Sequence, residues 1–250
     1  MIYIKTPEEI EKMREGGEIL AQILKKVAEN VRPGTSTKYL DKLATKLIYQ
    51  NNAKPSFKGY EGYPNALCIS VNEEVVHGIP SSRILKEGDI IGLDLGIVYK
   101  GMYTDHAVTV PAGGVSKKAQ KLINVTKEAL EQGIKQVKVD GYIGDVSWAI
   151  QKFVEENGFS VVRDLIGHGV GKKVQEEPEI PNFGQAGQGA KLEKGMTLAI
   201  EPMVNIGDWK VKILSDGWTV VTADGSLSAH FEHTIVVVKN GAEVLTKIDN

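Results

Sequence analysis

Residues 88–94 read GDIIGLD, and residues 195–201 read GMTLAIE. Each segment begins with glycine, continues through apolar residues that are common in strands, and ends on a carboxylate, Asp94 or Glu201. A segment that recurs in this form within one chain indicates a duplicated structural unit. We therefore expect two equivalent strands, each of which delivers a carboxylate to a corresponding place in the fold.

The repeat continues downstream of both segments. Asp105 begins DHAVTV (residues 105–110), and Glu232 begins EHTIVV (residues 232–237), so a carboxylate again precedes an apolar strand. The connection between the two strands is longer in the second copy, which contains an insert at about residues 208–228. If each half is an antiparallel pair of strands, Asp94 can face Asp105 and Glu201 can face Glu232.

Helical patterns precede each strand region. Thr6, Pro7 and Glu9 form a helix start with a capping box, and a second amphipathic pattern follows. Two more helices are predicted at about residues 116–137 and 145–157. The order of helices, strands, helices and strands predicts an α+β fold in which two pseudo-twofold-related halves, roughly residues 1–112 and 113–250, form a single domain.

The composition restricts the class of protein. The chain has 250 residues, of which 42% are hydrophobic, and its 30 Lys+Arg nearly balance 32 Asp+Glu, for a net charge of −2. This balance argues against a stable nucleic-acid partner. The single cysteine, an acidic N-terminal region without a signal peptide and the lack of an apolar run as long as a membrane span predict a cytoplasmic protein. We expect a monomer.

The four repeated carboxylates predict a metal site. Carboxylates among apolar residues are costly to bury unless positive charge compensates them, and four at one point would repel one another strongly. A pair of divalent cations would resolve that repulsion. His168, framed by glycines in GHGVG (residues 167–171), is the expected nitrogen ligand.

Three other histidines have structural interpretations. His106 and His233 each directly follow a predicted ligand within a strand, so their side chains should point to the opposite face of the sheet. We expect His230 to lie behind the ligands rather than among them.

These residues resemble those of the type I methionine aminopeptidases, which have the pita-bread fold. The resemblance covers nearly the whole chain and depends on NEEVVHGIP (72–80), GHGVG (167–171), IEPM (200–203) and FEHT (231–234). It implies removal of N-terminal methionine before a small second residue, and it implies the same five metal ligands: Asp94, Asp105, His168, Glu201 and Glu232. The ions would be Co, Mn, Fe or Zn.

The resemblance also implies substrate contacts. His77 would contact the substrate near the scissile amide, and Glu201 would act as the catalytic base. A methionine pocket would be built from Phe57, Tyr60, Tyr63, Cys68 and Trp218, since a thioether packs well on aromatic rings. The expected partners are the N-termini of nascent polypeptides and, at most transiently, the ribosome that presents them.

One position departs from the family pattern. The family carries a second catalytic histidine in a His-Glu-[Asp/Glu]-Pro context, and this chain has Gln175 in front of Glu176-Glu177-Pro178. Glutamine can still donate an amide hydrogen bond to substrate, but it cannot carry a proton near neutral pH. We therefore expect slower turnover.

Two alternatives remain open at the level of sequence. A pita-bread peptidase acting on Xaa-Pro bonds would share the ligand set, although such chains usually carry an additional N-terminal domain. A metal-loaded protein that binds N-termini with little cleavage would be consistent with Gln175.

Overall fold

A computed structural model describes residues 1–248. Four α-helices are present in that range: α1 (Pro7–Ala28), α2 (Thr37–Gln50), α3 (Lys117–Gln136) and α4 (Ile143–Glu156). The strands are β1 (Lys54–Pro55), β2 (Leu67–Val71), β3 (Glu74–Val76), β4 (Ile90–Tyr99), β5 (Met102–Pro111), β6 (Ser160–Val161), β7 (Ile166–Gly169), β8 (Glu176–Pro181), β9 (Thr197–Ile200), β10 (Met203–Asn205), β11 (Val211–Ile213), β12 (Val220–Thr222), β13 (Ser228–His230), β14 (Glu232–Val238) and β15 (Gly241–Val244).

A nine-stranded antiparallel sheet connects the two copies of the repeat. Its central order is β1-β4-β5-β14-β9-β7-β8, with β2 also paired to β4 and β15 to β14. The first copy forms β4 and β5, the second forms β9 and β14, and β5 pairs directly with β14. The predicted α+β class with a largely antiparallel sheet is therefore confirmed.

Each pair of helices buries its apolar face against its own half of the sheet. Leu20, Leu24 and Leu40 of α1 and α2 pack in one cluster with residues of β2 and β4. Residues of α3 and α4, including Leu122 and Ile150, pack in a second cluster with residues of β9 and β14. The helices thus stabilise the sheet and leave its other face to the site.

The helix starts follow the capping signals. Thr6 accepts the Glu9 N–H and the Glu9 carboxylate accepts the Thr6 N–H, which confirms the predicted capping box. The prediction that α4 begins at Asp145 was two residues late. The Asp145 carboxylate accepts the Tyr142 N–H from the third helical position, so it caps a helix that has already begun at Ile143.

Two small sheets lie beside the large one. The first has the order β13-β10-β6, and the second has the order β11-β12-β3. Strand β3 ends directly before His77, and β12 begins two residues after Trp218, so the second small sheet holds two of the predicted substrate contacts near each other. No helix within residues 1–248 is long and apolar enough to cross a membrane.

Candidate metal centre and substrate cavity

Three adjacent strands align two of the predicted ligands in one row. Asp94 of β4 lies opposite Ala107 of β5, and Ala107 lies opposite Glu232 of β14. On the far side of β4, Cys68 of β2 is the partner of Asp94. The small side chain of Ala107 leaves open the space between the two carboxylates.

A second row, two residues further along the strands, contains the other pair. Asp105 of β5 lies opposite Gly96, and its backbone exchanges two hydrogen bonds with the Thr234 hydroxyl. His168 of β7 lies opposite Ala199 of β9. Residues two apart on a strand share a face, so both rows point to the same side of the sheet.

The sequence-based pairing of Asp94 with Asp105 was therefore wrong in its register. Asp105 opposes Gly96 and not Asp94, because the turn that joins β4 to β5 sets the register two residues away from a direct pairing. The two carboxylates are diagonal neighbours on one face. This arrangement still brings them to one site.

The ligand atoms converge. One donor atom from each of Asp105, His168 and Glu232 lies within 4.8 Å of the others. Glu201, directly after β9, places Oε1 3.5 Å from Nε2 of His168 and Oε2 3.4 Å from Nε2 of His230. Asp94, in the neighbouring row, interacts with the carboxyl groups of Asp105 and Glu201.

Burial raises the pKa values of all four carboxyl groups, and neighbouring carboxylates add to the shift for three of them. Burial, opposed by His168, raises the pKa of Glu201 to about 7. Burial and the Glu201 charge raise the pKa of Asp105 to about 7. The pKa values of Asp94 and Glu232 are raised well above the ordinary range by burial and by their carboxylate neighbours. Without a cation, the site would therefore hold protons at neutral pH.

The donor set fits divalent metal ions. Oδ1 of Asp94 and Oε1 of Glu232 are buried and have no hydrogen-bond partner among residues 1–248. Buried carboxylate oxygens without partners are costly, and bound cations would satisfy them. Four carboxylates and one imidazole are suitable ligands for first-row transition metals.

His106 and His233 lie outside the ligand group. They are cross-strand partners on β5 and β14, and their rings stack with centroids 4.6 Å apart at an angle of 13°. The His233 Nδ1 contacts the Thr246 hydroxyl at 2.9 Å. As adjacent residues on a strand point to opposite faces, this stack lies behind the carboxylates.

A cavity of about 680 Å³ opens over the carboxylate face. Every residue that the sequence predicted as a ligand, substrate contact or catalytic group lines it: Phe57, Tyr60, Tyr63, Cys68, His77, Asp94, Asp105, His168, Gln175, Glu201, Trp218 and Glu232. Its size suits a small peptide end rather than a folded protein surface.

Aromatic groups and a thiol form one wall of the cavity. The Tyr63 and Trp218 rings meet edge to face, with centroids 5.2 Å apart at 77°. The Tyr63 hydroxyl donates to the Gly78 carbonyl at 2.9 Å, which fixes the ring. Cys68 is buried beside Asp94, and burial raises the pKa of its thiol well above the ordinary value. The thiol thus contributes a neutral, polarisable surface.

His77 has an uncommon backbone conformation. Its φ is +61°, which L-residues seldom adopt. Burial, with His230 and His168 nearby, lowers the pKa of His77 to about 4. A neutral imidazole is therefore held at the cavity wall, where it can donate or accept a hydrogen bond.

Gln175 lies at the opposite side, on the loop between β7 and β8. Gln175 is exposed and lines the cavity, whereas Val174 and Glu176 on either side, which also border the cavity, are buried. No hydrogen bond holds the Gln175 amide within residues 1–248, so the amide is available to a substrate.

Sequence reasoning missed several lining residues. Met1 and Tyr3 reach the cavity from the N-terminal segment, and Leu165 and Met203 contribute apolar surface. Met203 could have been identified, because it follows Glu201 within the quoted motif IEPM. The N-terminal residues carry no such signal.

The sequence profile of Metallopeptidase family M24 matches residues 11–239. The chain is 52% identical over 248 residues to the methionine aminopeptidase of Clostridium perfringens (strain 13 / Type A), covering 99% of this chain and 100% of that protein. It is 48% identical over 248 residues to methionine aminopeptidase 1 of Bacillus subtilis (strain 168), with the same coverage.

Comparison with solved structures also finds a methionine aminopeptidase. The crystal structure of the methionine aminopeptidase from Thermotoga maritima superposes with a TM-score of 0.97 at 52% identity, covering 99% of this chain and 100% of that one. The prolidase from Pyrococcus horikoshii OT3 has a TM-score of 0.80 at 22% identity, and the match covers 99% of this chain but 64% of the prolidase. The second likeness concerns the fold alone.

Proposed function

The chain belongs to metallopeptidase family M24, and we propose that it is a divalent-metal aminopeptidase that removes methionine from the N-termini of polypeptides. Its full-length likeness to type I methionine aminopeptidases supports this assignment. The observation that carries it is the convergence of Asp105, His168 and Glu232 within 4.8 Å on one side of a cavity whose other wall is aromatic.

Five side chains would hold two metal ions. Asp94, Asp105 and Glu232 belong to adjacent strands and would supply carboxylate oxygens. His168 and Glu201 lie 3.5 Å apart and would supply a nitrogen and an oxygen. Co, Mn, Fe and Zn all suit such donors.

Bound ions would supply Lewis acidity, polarising the scissile carbonyl and lowering the pKa of an attacking water molecule. Glu201 borders both the ligand group and the cavity, so its carboxylate can take a proton and return it to the leaving amine. His77 and Gln175 face the cavity and can donate hydrogen bonds to the developing oxyanion.

The aromatic wall would select methionine. A methionine side chain that enters between the Tyr63–Trp218 pair and Cys68 makes sulfur–aromatic contacts and leaves its α-amine near the carboxylates. Phe57 and Tyr60 complete the lip of this pocket. The substrates would be N-termini with a small second residue, presented in the cytoplasm and at most transiently at the ribosome, and the enzyme would act as a monomer.

We also propose that residues 1–250 form one domain with an internal repeat, roughly 1–112 and 113–250. The pairing of β5 with β14 supports this organisation, because a single sheet passes from one half to the other. The metal ligands come from both halves, so neither half would hold the site alone.

The function is tested by measuring peptide cleavage before and after the metal ions are removed. Purified protein is stripped with chelator, reloaded with Mn²⁺ or Co²⁺, and assayed on Met-Ala-Ser and on a Xaa-Pro peptide. We expect methionine release that disappears on chelation and returns with metal. Activity that survives rigorous chelation would overturn the metal scheme, and a preference for the Xaa-Pro peptide would favour the other peptidase class of this fold.

A further inference from the structure

The loop that carries Gln175 is tied to the N-terminal segment by a buried ion pair. Lys5 Nζ donates to the Glu176 carboxylate, and the two side chains are 1% and 0% exposed. Lys5 itself is fixed in place, since its N–H donates to the Gly195 carbonyl at 2.9 Å. A methylene of Lys5 packs so closely on Gly171 that a side chain at that glycine would collide with it.

The same carboxylate closes the loop. Glu176 accepts the backbone N–H of Lys172 at 2.5 Å and that of Lys173 at 3.0 Å. The Glu176 carboxylate therefore accepts hydrogen bonds from one ammonium group and two backbone amides of the same loop. At the protein surface, Nζ of Lys172 lies 3.0 Å from Oε1 of Glu9 in α1, and this more exposed ion pair also connects the loop to the N-terminal region.

Burial alternates along the loop. Val174 and Glu176 are buried and Gln175 between them is exposed, and all three border the cavity. Neighbouring side chains in an extended chain point in opposite directions, so the buried Glu176 side chain leaves Gln175 on the exposed side of the loop. Lys5 itself does not line the cavity.

We propose that Lys5 and Glu176 are positioning residues: their buried ion pair sets the loop so that the Gln175 amide faces the scissile bond. The inference rests on the proposed peptidase function for its kinetic test. Met1 and Tyr3 border the cavity beside this loop, so the N-terminal segment supports one wall of the substrate site as well as its own helix.

Energetics favour this positioning role over a purely stabilising one. Buried ion pairs contribute little net stability compared with apolar groups of the same shape, whereas removing one partner leaves an uncompensated charge. Burial lowers the pKa of Lys5, and the Glu176 contacts oppose that shift. The ion pair is therefore better suited to specifying a loop conformation than to adding net stability.

The experiment is a double-mutant cycle between Lys5→Met and Gln175→Ala, measured on Met-Ala-Ser with metal-loaded protein. We expect Lys5→Met to lower kcat on the order of tenfold through misplacement of Gln175, with KM changed by less than about twofold. In the Gln175→Ala background, Lys5→Met should lower kcat no further. An equal loss of kcat in both backgrounds, or none in either, would overturn the proposal.

Lys12→Met is the matched control, because it removes a lysine whose side chain is 33% exposed from an ion pair with Glu8 within α1. It should leave kcat and KM unchanged. The double variant Lys5→Met/Glu176→Gln buries no unpaired charge and retains an amide oxygen for the Lys172 and Lys173 N–H groups. Its kcat should be higher than that of Lys5→Met alone. If Lys5→Met alone does not fold, this double variant replaces it in the mutant cycle with Gln175→Ala.

A second readout separates this inference from the peptidase assignment. Amide hydrogen exchange at Lys172 and Lys173 should be faster in Lys5→Met than in the parent or in Lys12→Met. If the parent releases no methionine, the peptidase function fails, and the exchange rates still decide whether the Lys5–Glu176 ion pair holds the loop. If the parent is active and the exchange rates do not change, the positioning role of the ion pair is refuted while the function stands.

Discussion

The Nε2 atom of His230 lies 3.4 Å from Oε2 of Glu201. His230 is 3% exposed, and its backbone is fixed on both sides by Thr109, whose hydroxyl accepts the His230 N–H and donates to the His230 carbonyl. The imidazole therefore lies beside the Glu201 oxygen that His168 does not approach. Its Nε2 is buried and has no hydrogen-bond partner among residues 1–248, so the contact with Glu201 is a close approach rather than a hydrogen bond.

The first prediction is that His230 contributes to metal affinity through Glu201. His230→Leu removes the polar ring nitrogen that lies beside Glu201, and we expect weaker binding of Mn²⁺ on the order of 10- to 100-fold, as for other partners of metal ligands. His230→Gln keeps a polar side chain at this place and should lose less. Calorimetric titration of stripped protein measures both, and equal affinities for the parent and the leucine variant would refute the role.

The second prediction concerns the pH dependence of the metal-free protein. The pKa values of Asp105 and Glu201 are raised to about 7, so the folded state keeps protons that the unfolded chain releases near pH 4. Stability therefore falls as pH rises through this range. His77 and His230, whose pKa values are lowered to about 4, act in the opposite direction, but only up to about pH 6.5, where free imidazole loses its charge.

Above about pH 6.5 the histidines no longer oppose the carboxyl groups. We expect the Tm of chelated protein to decrease between about pH 6.5 and 8, because Asp105 and Glu201 lose their protons near pH 7 and the pKa values of Asp94 and Glu232 are also raised well above the ordinary range. Saturating Mn²⁺ should remove this decrease, since cations compensate the ionised carboxylates. Thermal unfolding with and without metal measures it, and a Tm that rises with pH in the chelated protein would contradict the electrostatic description.

The third prediction concerns Trp218, which lies in the insert at about residues 208–228 and forms part of the proposed methionine pocket. Trp218→Ala removes the ring that meets Tyr63 at 5.2 Å, and we expect KM for Met-Ala-Ser to rise about tenfold, with a smaller effect on kcat. Trp209→Ala is the control, because Trp209 lies in the same insert but packs on Arg163 outside the cavity. Equal changes in KM for both variants would argue against a pocket at Trp218.

The repeat made the sheet and the approximate grouping of the carboxylates predictable. Glycine, an apolar run and a carboxylate occur in the same order in β4 and β9, and equivalent strands deliver equivalent side chains to one face. The register of Asp94 against Ala107 could not be derived in this way. Register depends on the turn after Tyr99, and a shift of two residues keeps the same face while changing the partner.

The contacts that join distant segments were also beyond the sequence. Lys5 and Glu176 have no pattern that relates them, and their pairing depends on how the N-terminal segment packs against the β7–β8 loop. Met1 and Tyr3 reach the cavity for the same reason. Local signals such as the capping box of α1 were readable, because they involve residues within one turn.

The last prediction concerns Gln175, where the family pattern has histidine. Gln175 lines the cavity and its amide has no hydrogen-bond partner among residues 1–248, so it can donate a hydrogen bond to the oxyanion but cannot transfer a proton. Gln175→His should raise kcat on Met-Ala-Ser about tenfold or more and add an ionisation near the histidine pKa to the pH–rate profile. Gln175→Leu, which keeps the volume but removes the donor, should lower kcat below that of the parent. If parent and histidine variant bind metal but cleave equally and negligibly, catalysis is limited elsewhere, and the chain would be a binder of N-termini.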